Sequence, residues 1–209
     1  MPSSGHQTIP ARCIACQRDV ETPAVCGHCH AVQPVDHVDY FELFGLDRAY
    51  DIDTALLEER YFNLARAVHP DRLRSGASEV AQLSLRTMSS VNRGRALLLD
   101  PAQRAEYLLD LAGGPDAATR KQVPQEVLTD ALFLREEIAE AQAGHDVEAL
   151  ARYAANVHAR FDETLSRAAD LARALPGDDA TRTGLRAVLN AVRYYQKMLE
   201  QVQPPNESR

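Results

Sequence analysis

The chain has 209 residues, 45% of them hydrophobic and 25% charged, a balance that suits folded domains and excludes a fully disordered or collagen-like chain. Its 30 Asp and Glu outnumber 23 Lys and Arg, for a net charge of −7, which argues against wholesale nucleic-acid binding. No run approaches the ~18 apolar residues of a membrane span. Met1 to Pro10 lacks the basic and apolar regions of a secretion signal and the Arg-rich stretch of a presequence, so a cytoplasmic protein is expected.

The four cysteines, Cys13, Cys16, Cys26 and Cys29, form two C-x2-C pairs separated by nine residues. Each pair puts two thiolates on one side of a turn, and folding the intervening loop back completes a tetrahedral shell. Gly27, having no Cβ, is expected to ease the second turn. So short a segment cannot bury a useful core, so a bound ion would supply its folding energy. One structural zinc ion is the expectation. Two disulfides, an iron centre and a redox-switched pair are the alternatives. His28 and His30 are competing ligands, though four cysteines already fill the shell.

Helical patterns occupy the rest. After a linker with Pro34, Asp39 can cap a short helix carrying Tyr40, Phe41, Leu43 and Phe44, closed by Gly45. Asp53 caps the next, with Ile52 before it placed to staple onto Leu57. Its stripe runs through Leu57, Tyr61, Leu64, Ala65 and Val68 until Pro70 stops it. A third helix is predicted from about Ser78 to Leu99, with Val80, Leu83, Met88, Val91, Ala96 and Leu97 inward. Asp100 and Pro101 restart a short helix with Tyr107, Leu108 and Leu111, closed by Gly113 and Gly114.

A polar linker leads to three amphipathic patterns. The first carries Val127, Ala131, Leu134, Ile138 and Ala141. The second carries Leu150, Tyr153, Val157, Phe161, Leu165, Ala168, Ala172 and Leu175. The third carries Leu185, Val188, Leu189, Val192, Tyr195, Leu199 and Val202. None can bury its stripe alone, and the short Gly or Pro turns favour an antiparallel three-helix bundle. The expected fold is all-α: a four-cysteine knuckle and linker at 1–37, a helical domain at 38–113, a linker at 114–122, the bundle at 123–203 and a tail at 204–209.

His69, Pro70 and Asp71 stand where an amphipathic helix meets a polar loop. Such a corner offers donors and a carboxylate to a partner; the plainer reading is that His69 and Asp71 cap their elements. A catalytic dyad is weaker, because no nucleophile motif accompanies it. Arg60 to Arg74 holds four Arg and one Asp, whereas Val123 to Gly144 holds five acids and one Arg. Opposite patches suit two different partners, although each run is also compatible with a solvated face.

DYFELFGL at Asp39–Leu46, VHPDR at Val68–Arg72, RAEYLL at Arg104–Leu109 and LFLREEI at Leu132–Ile138 together resemble the HscB family, the J-domain co-chaperones of iron–sulfur cluster assembly. The resemblance runs from about residue 38 nearly to the C-terminus, making 38–113 a J domain with a helical hairpin. The four-cysteine segment looks like that of the eukaryotic mitochondrial members and of some bacterial ones, so a mitochondrial matrix location applies if the chain is eukaryotic and trimmed. The resemblance implies that His69, Pro70 and Asp71 engage an HscA-type chaperone of the seventy-kilodalton class and stimulate its ATPase, with Arg60, Arg66 and Arg72 steering the contact. The protein itself would be no enzyme. It also implies that Leu128, Thr129, Leu132, Arg135 and Tyr194 bind an IscU-type iron–sulfur scaffold protein. Thr129 departs from the family's apolar residue, and Tyr194 from its Phe. Leu128 and Leu132 lie about 100 degrees off the core stripe, which favours exposure over a broad core face. Tyr194, unlike Tyr195, is expected to face outward. A generic J-domain protein with another client and a zinc-ribbon nucleic-acid binder are the rival readings.

Overall fold

The computed structural model describes residues 12–20, 22–69 and 78–202. Among these described residues the regular elements are seven helices: α1 Tyr40–Leu43, α2 Thr54–Val68, α3 Ser78–Leu99, α4 Pro101–Leu111, α5 Gln125–Ala143, α6 Val147–Arg173 and α7 Asp179–Val202. The contacts divide the chain into two compact units, with the division between Asp100 and Pro101.

In the first unit the helix starts follow the predicted caps. Asp39 accepts from the Glu42 N–H at 3.0 Å, and Asp53 accepts from Ala55 and Leu56 at 2.9 and 3.0 Å. Each such cap stabilises its helix by about 1 kcal/mol. Gly45 ends α1 at φ +62°, a left-handed position that disfavours any Cβ. Buried Leu57 and Val68 face α2 toward α3. At their edge Arg95 forks onto Glu58 at 2.6 and 2.9 Å and stacks 4.8 Å from the Tyr61 ring centre. The Tyr61 hydroxyl donates to Asn92 at 3.1 Å.

The inward face of α3 differs from the predicted one. It consists of Ser84, Thr87, Val91, Gly94 and Leu98, at alternating steps of three and four. Of the expected residues only Val91 is fully buried; Val80 and Ala96 are exposed, and Leu83, Met88 and Leu97 are half-buried. Small residues line this face because other segments press close to it. A Cβ on Gly94 would lie 2.6 Å from Tyr40 Cδ1 and 3.1 Å from Phe44 Cε2, so a glycine is what lets α1 sit on α3. The Ser84 hydroxyl donates to the carbonyl of Val68, the last residue of α2.

In the second unit α5, α6 and α7 run up, down and up. Asp130 and Glu126, early in α5, pair with Arg160 at the middle of α6 and Arg167 nearer its end, whereas Gln142 at the end of α5 reaches the Gln201 carbonyl at the end of α7. All seven predicted stripe residues of α7 are buried, and Ala191 and Met198 join them. Helix α4 packs against α6 and α7. Its Glu106 accepts from Arg186, which is fully buried, with the second arm of the fork at 2.7 Å. Arg193 adds a third contact at 3.0 Å. Asn190 donates to the carbonyls of Arg120 and Gln122, both at 2.9 Å, so the polar 114–122 stretch is pinned to α7.

Candidate metal centre and interaction surfaces

The two cysteine pairs fold as near copies of one turn. Cys13 donates its N–H to Arg18 at 2.8 Å and accepts from Gln17 at 3.1 Å; Cys26 does the same with Ala31 and His30, both at 2.9 Å. An isolated antiparallel bridge closes each, Arg12 with Asp19 and Val25 with Val32. The residue after each second cysteine is left-handed, Gln17 at φ 60° and His30 at φ 59°. Gly27 is not the position that needs glycine: nothing lies within 4 Å of a Cβ added there, and the tight steps fall at Gln17 and His30 instead.

All four sulfurs lie within 4.8 Å of one another, with Cys13–Cys29 at 3.6 Å and Cys16–Cys26 at 3.8 Å. A tetrahedral ion with metal–sulfur bonds of ~2.3 Å requires edges of ~3.8 Å, so these residues fit one tetrathiolate ion. His28 faces Arg18 at 3.5 Å and His30 is exposed; neither belongs to the cluster. The backbone N–H of Cys16, opposed by desolvation and aided by that of Ala15, lowers the Cys13 thiol to about 6 from its usual 9.0. The N–H groups of Cys29 and His28 lower Cys26 in the same way. At Cys29 the Ala31 N–H also pulls down, but desolvation and the three neighbouring thiols outweigh it and push the group up to about 12. Four sulfurs this close resist shedding their last proton until a cation joins them.

The residue that organises this centre escaped the sequence reading. Gln33 is fully buried, and its Nε2 donates to Cys13 Sγ at 3.3 Å and to the Ala31 carbonyl at 2.8 Å. Glutamine beyond the last cysteine carries no motif, so only the folded contacts reveal it.

At the end of α2, His69 is the C-cap, extended at φ −63° and ψ 130° and exposed. That extended backbone is what a following proline demands. Pro70, Asp71 and Arg72 lie outside the described residues. Arg66 is exposed one turn before His69. Arg60 is half-buried, with its guanidinium donating to the carbonyls of Phe44, at 2.7 Å, and Gly45. Six residues separate it from Arg66, which puts the two about 120° apart around the helix. Arg60 therefore satisfies the end of α1, on a different face from Arg66. The face shared by Arg66 and His69 carries instead Phe62, 62% exposed. Its place outside the 57–61–64–68 stripe was the available signal.

On α5, Leu128 and Leu132 are 38% and 58% exposed, off the buried stripe as their angle implied. Phe133 beside them is 60% exposed and was not predicted. The Thr129 hydroxyl bonds back to the Gln125 carbonyl at 3.0 Å. Arg135 lies 5.1 Å from the ring centre of Tyr194, a cation–π distance, so these two expected contact residues are brought together. Tyr194 is half-buried against the bundle core rather than facing outward, with Arg135 over its ring.

The described residues thus combine a tetracysteine cluster, a pair of packed helices whose first member ends at His69, and a three-helix bundle. No family model matches the chain. Over 76 residues it is 49% identical to the co-chaperone protein HscB homolog of Shewanella baltica and 47% identical to that of Shewanella halifaxensis. These matches take in 36% of this chain and 44% of the relatives' length. The crystal structure of human co-chaperone protein HscB superposes with a TM-score of 0.76 at 27% identity, covering 91% of this chain and 96% of that one. Chaperone HscB from Vibrio cholerae superposes at 0.65 with 26% identity, over 79% and 95%. The chain is HscB-like in sequence and in fold. No described helix is long and apolar enough to cross a membrane.

Proposed function

We propose that this chain is an HscB-type co-chaperone that binds an IscU-type iron–sulfur scaffold protein and presents it to an HscA-type chaperone, whose ATPase it stimulates. The superposition on human HscB over 91% of the chain carries this reading, because it spans both the hairpin and the bundle. The His69–Pro70–Asp71 corner, with Arg66 on its approach, engages the chaperone and biases it toward its ATP-hydrolysing state. Leu128, Leu132 and Phe133 on α5, with Thr129 between them and Arg135 and Tyr194 at the side, form the scaffold face. An apolar cluster among acids suits a modest, transient contact. The cysteine centre holds one structural zinc ion; with four protein ligands no coordination position is left for a reacting water.

The test is the steady-state ATPase of an HscA-type chaperone with the protein added, with and without scaffold. The wild type is expected to stimulate, more so with scaffold, and Asp71→Asn is expected to lose nearly all stimulation. Stimulation indifferent to scaffold would transfer the chain to the rival reading of a J-domain protein with another client. No stimulation by a folded sample would sink the co-chaperone reading.

A further inference from the structure

Gln33 uses every polar atom it has. Its backbone N–H donates to the Ala24 carbonyl at 2.9 Å, closing the second knuckle. Its side-chain Oε1 accepts from the Ile14 N–H at 3.1 Å, inside the first knuckle. The two hydrogens of Nε2 go to the Ala31 carbonyl and to Cys13 Sγ. This pattern fixes the amide orientation, since Ile14 can only donate and Ala31 can only accept. The remaining atom, the Gln33 carbonyl oxygen, accepts from the Thr87 hydroxyl at 3.2 Å, and Thr87 lies on the buried face of α3. One residue thus touches both knuckles, a metal-ligand sulfur and the hairpin of the same unit. A buried primary amide is costly unless all its groups are paired, so Gln33 can be accommodated only when all three parts are in place.

We infer that Gln33 is a positioning residue that couples metal loading of the cysteine centre to the packing of α3, through its bonds to Cys13 Sγ at one end and Thr87 at the other. An N–H donated to a metal-bound thiolate spreads its charge and fixes its direction, and loss of such support typically weakens metal retention. Without an ion to fix the sulfurs, the Gln33–Cys13 bond loses its anchor, and the loosening passes along Gln33 to the carbonyl that Thr87 holds. Reciprocally, loosening Thr87 loosens the centre. The coupling gives the knuckle a purpose that its cysteines alone do not disclose: it braces the middle of the hairpin that carries His69. This inference rests on the tetrathiolate reading of the centre.

The test uses the full chain loaded with cobalt(II), whose thiolate charge-transfer band reports on the sulfurs. Release is followed after adding excess EDTA, and amide hydrogen exchange across α3 is compared with and without metal. Gln33→Met is expected to release cobalt about tenfold faster and to shift the charge-transfer band. Thr87→Val, which touches no ligand, is expected to release it about threefold faster with the band unchanged. Thr87→Ser, which keeps the hydroxyl, is expected to behave as wild type. Residues 84–91 are expected to exchange faster in the metal-free wild type. Wild-type release by Thr87→Val, together with α3 exchange indifferent to metal, overturns the coupling while leaving the metal site intact. Failure of the wild type to bind cobalt or zinc at all overturns both.

Discussion

Asp178 shows how much a single side chain contributes when it stands at a helix start. It accepts from the Thr181 N–H and hydroxyl, each at 2.7 Å, and these bonds, the hydroxyl's first, hold its carboxyl below the usual 3.8. The unfolded chain therefore takes up the proton first as pH falls. The contribution of Asp178 is complete above its ordinary pKa and is lost as pH drops through the lower folded value. Asp178→Ala is expected to lower stability at neutral pH and to flatten the acid limb below pH 4, as measured by urea unfolding at a series of pH values. An unchanged acid limb would remove Asp178 from the acid response. Ser84, Thr87 and Gln33 act at the same scale. Each is a small or polar residue whose importance lies in partners distant in sequence, and for that reason none was legible in the sequence.

Among the elements, α5 carries the sharpest functional expectation. Its buried residues Val127, Ala131, Leu134, Ile138 and Ala141 were readable from period alone, as was the off-stripe angle of Leu128 and Leu132. Phe133 was hidden inside LFLREEI because it sits directly between an exposed and a buried leucine. Apolar side chains that anchor an interface typically cost about 1–2 kcal/mol each on truncation. Leu132→Ala and Phe133→Ala are each expected to weaken scaffold binding about tenfold in calorimetry with little change in melting temperature. Unchanged affinity for both would show that this patch is not the scaffold face. The contrast with α3 explains where sequence reading stops. Hydrophobic period finds a helix whose buried face is apolar, and it slips on one whose buried face is serine, threonine and glycine. Helix α7 is intermediate: its apolar stripe was found in full, whereas fully buried Arg186 and mostly buried Asn190 were missed. Their partners lie on α4 and the 114–122 stretch, and no local pattern announces them.

For the molecule as a whole, the division of labour makes the two proposed activities separable. His69 belongs to the first unit and the α5 patch to the second. Asp71→Asn is expected to bind scaffold within about twofold of wild type while losing ATPase stimulation. Leu132→Ala combined with Phe133→Ala is expected to retain scaffold-independent stimulation while losing the scaffold's synergy. Loss of both activities in either variant would contradict the two-armed arrangement. The cysteine spacing and the placing of all seven helices were legible at this scale, since caps, breakers and apolar period are local signals. The pairing of α4 with α7 was not, because it depends on Glu106 meeting Arg186 across 80 residues of chain.

The near-identity of the two knuckles bears on how an ion would enter and leave the proposed centre. Each is closed by its own backbone bonds, so each is a bidentate chelator in its own right, tethered to the other by nine residues. Once one knuckle has captured an ion, the tether keeps the second at a local concentration on the order of millimolar or above, so a half-bound ion is closed upon faster than it escapes. The halves are not equal, however: Gln33 grips Cys13, whereas Cys29 is exposed at the other end. An acceptor protein or chelator seeking the ion would therefore enter by displacing Cys29 first, which gives a symmetric-looking centre a single door.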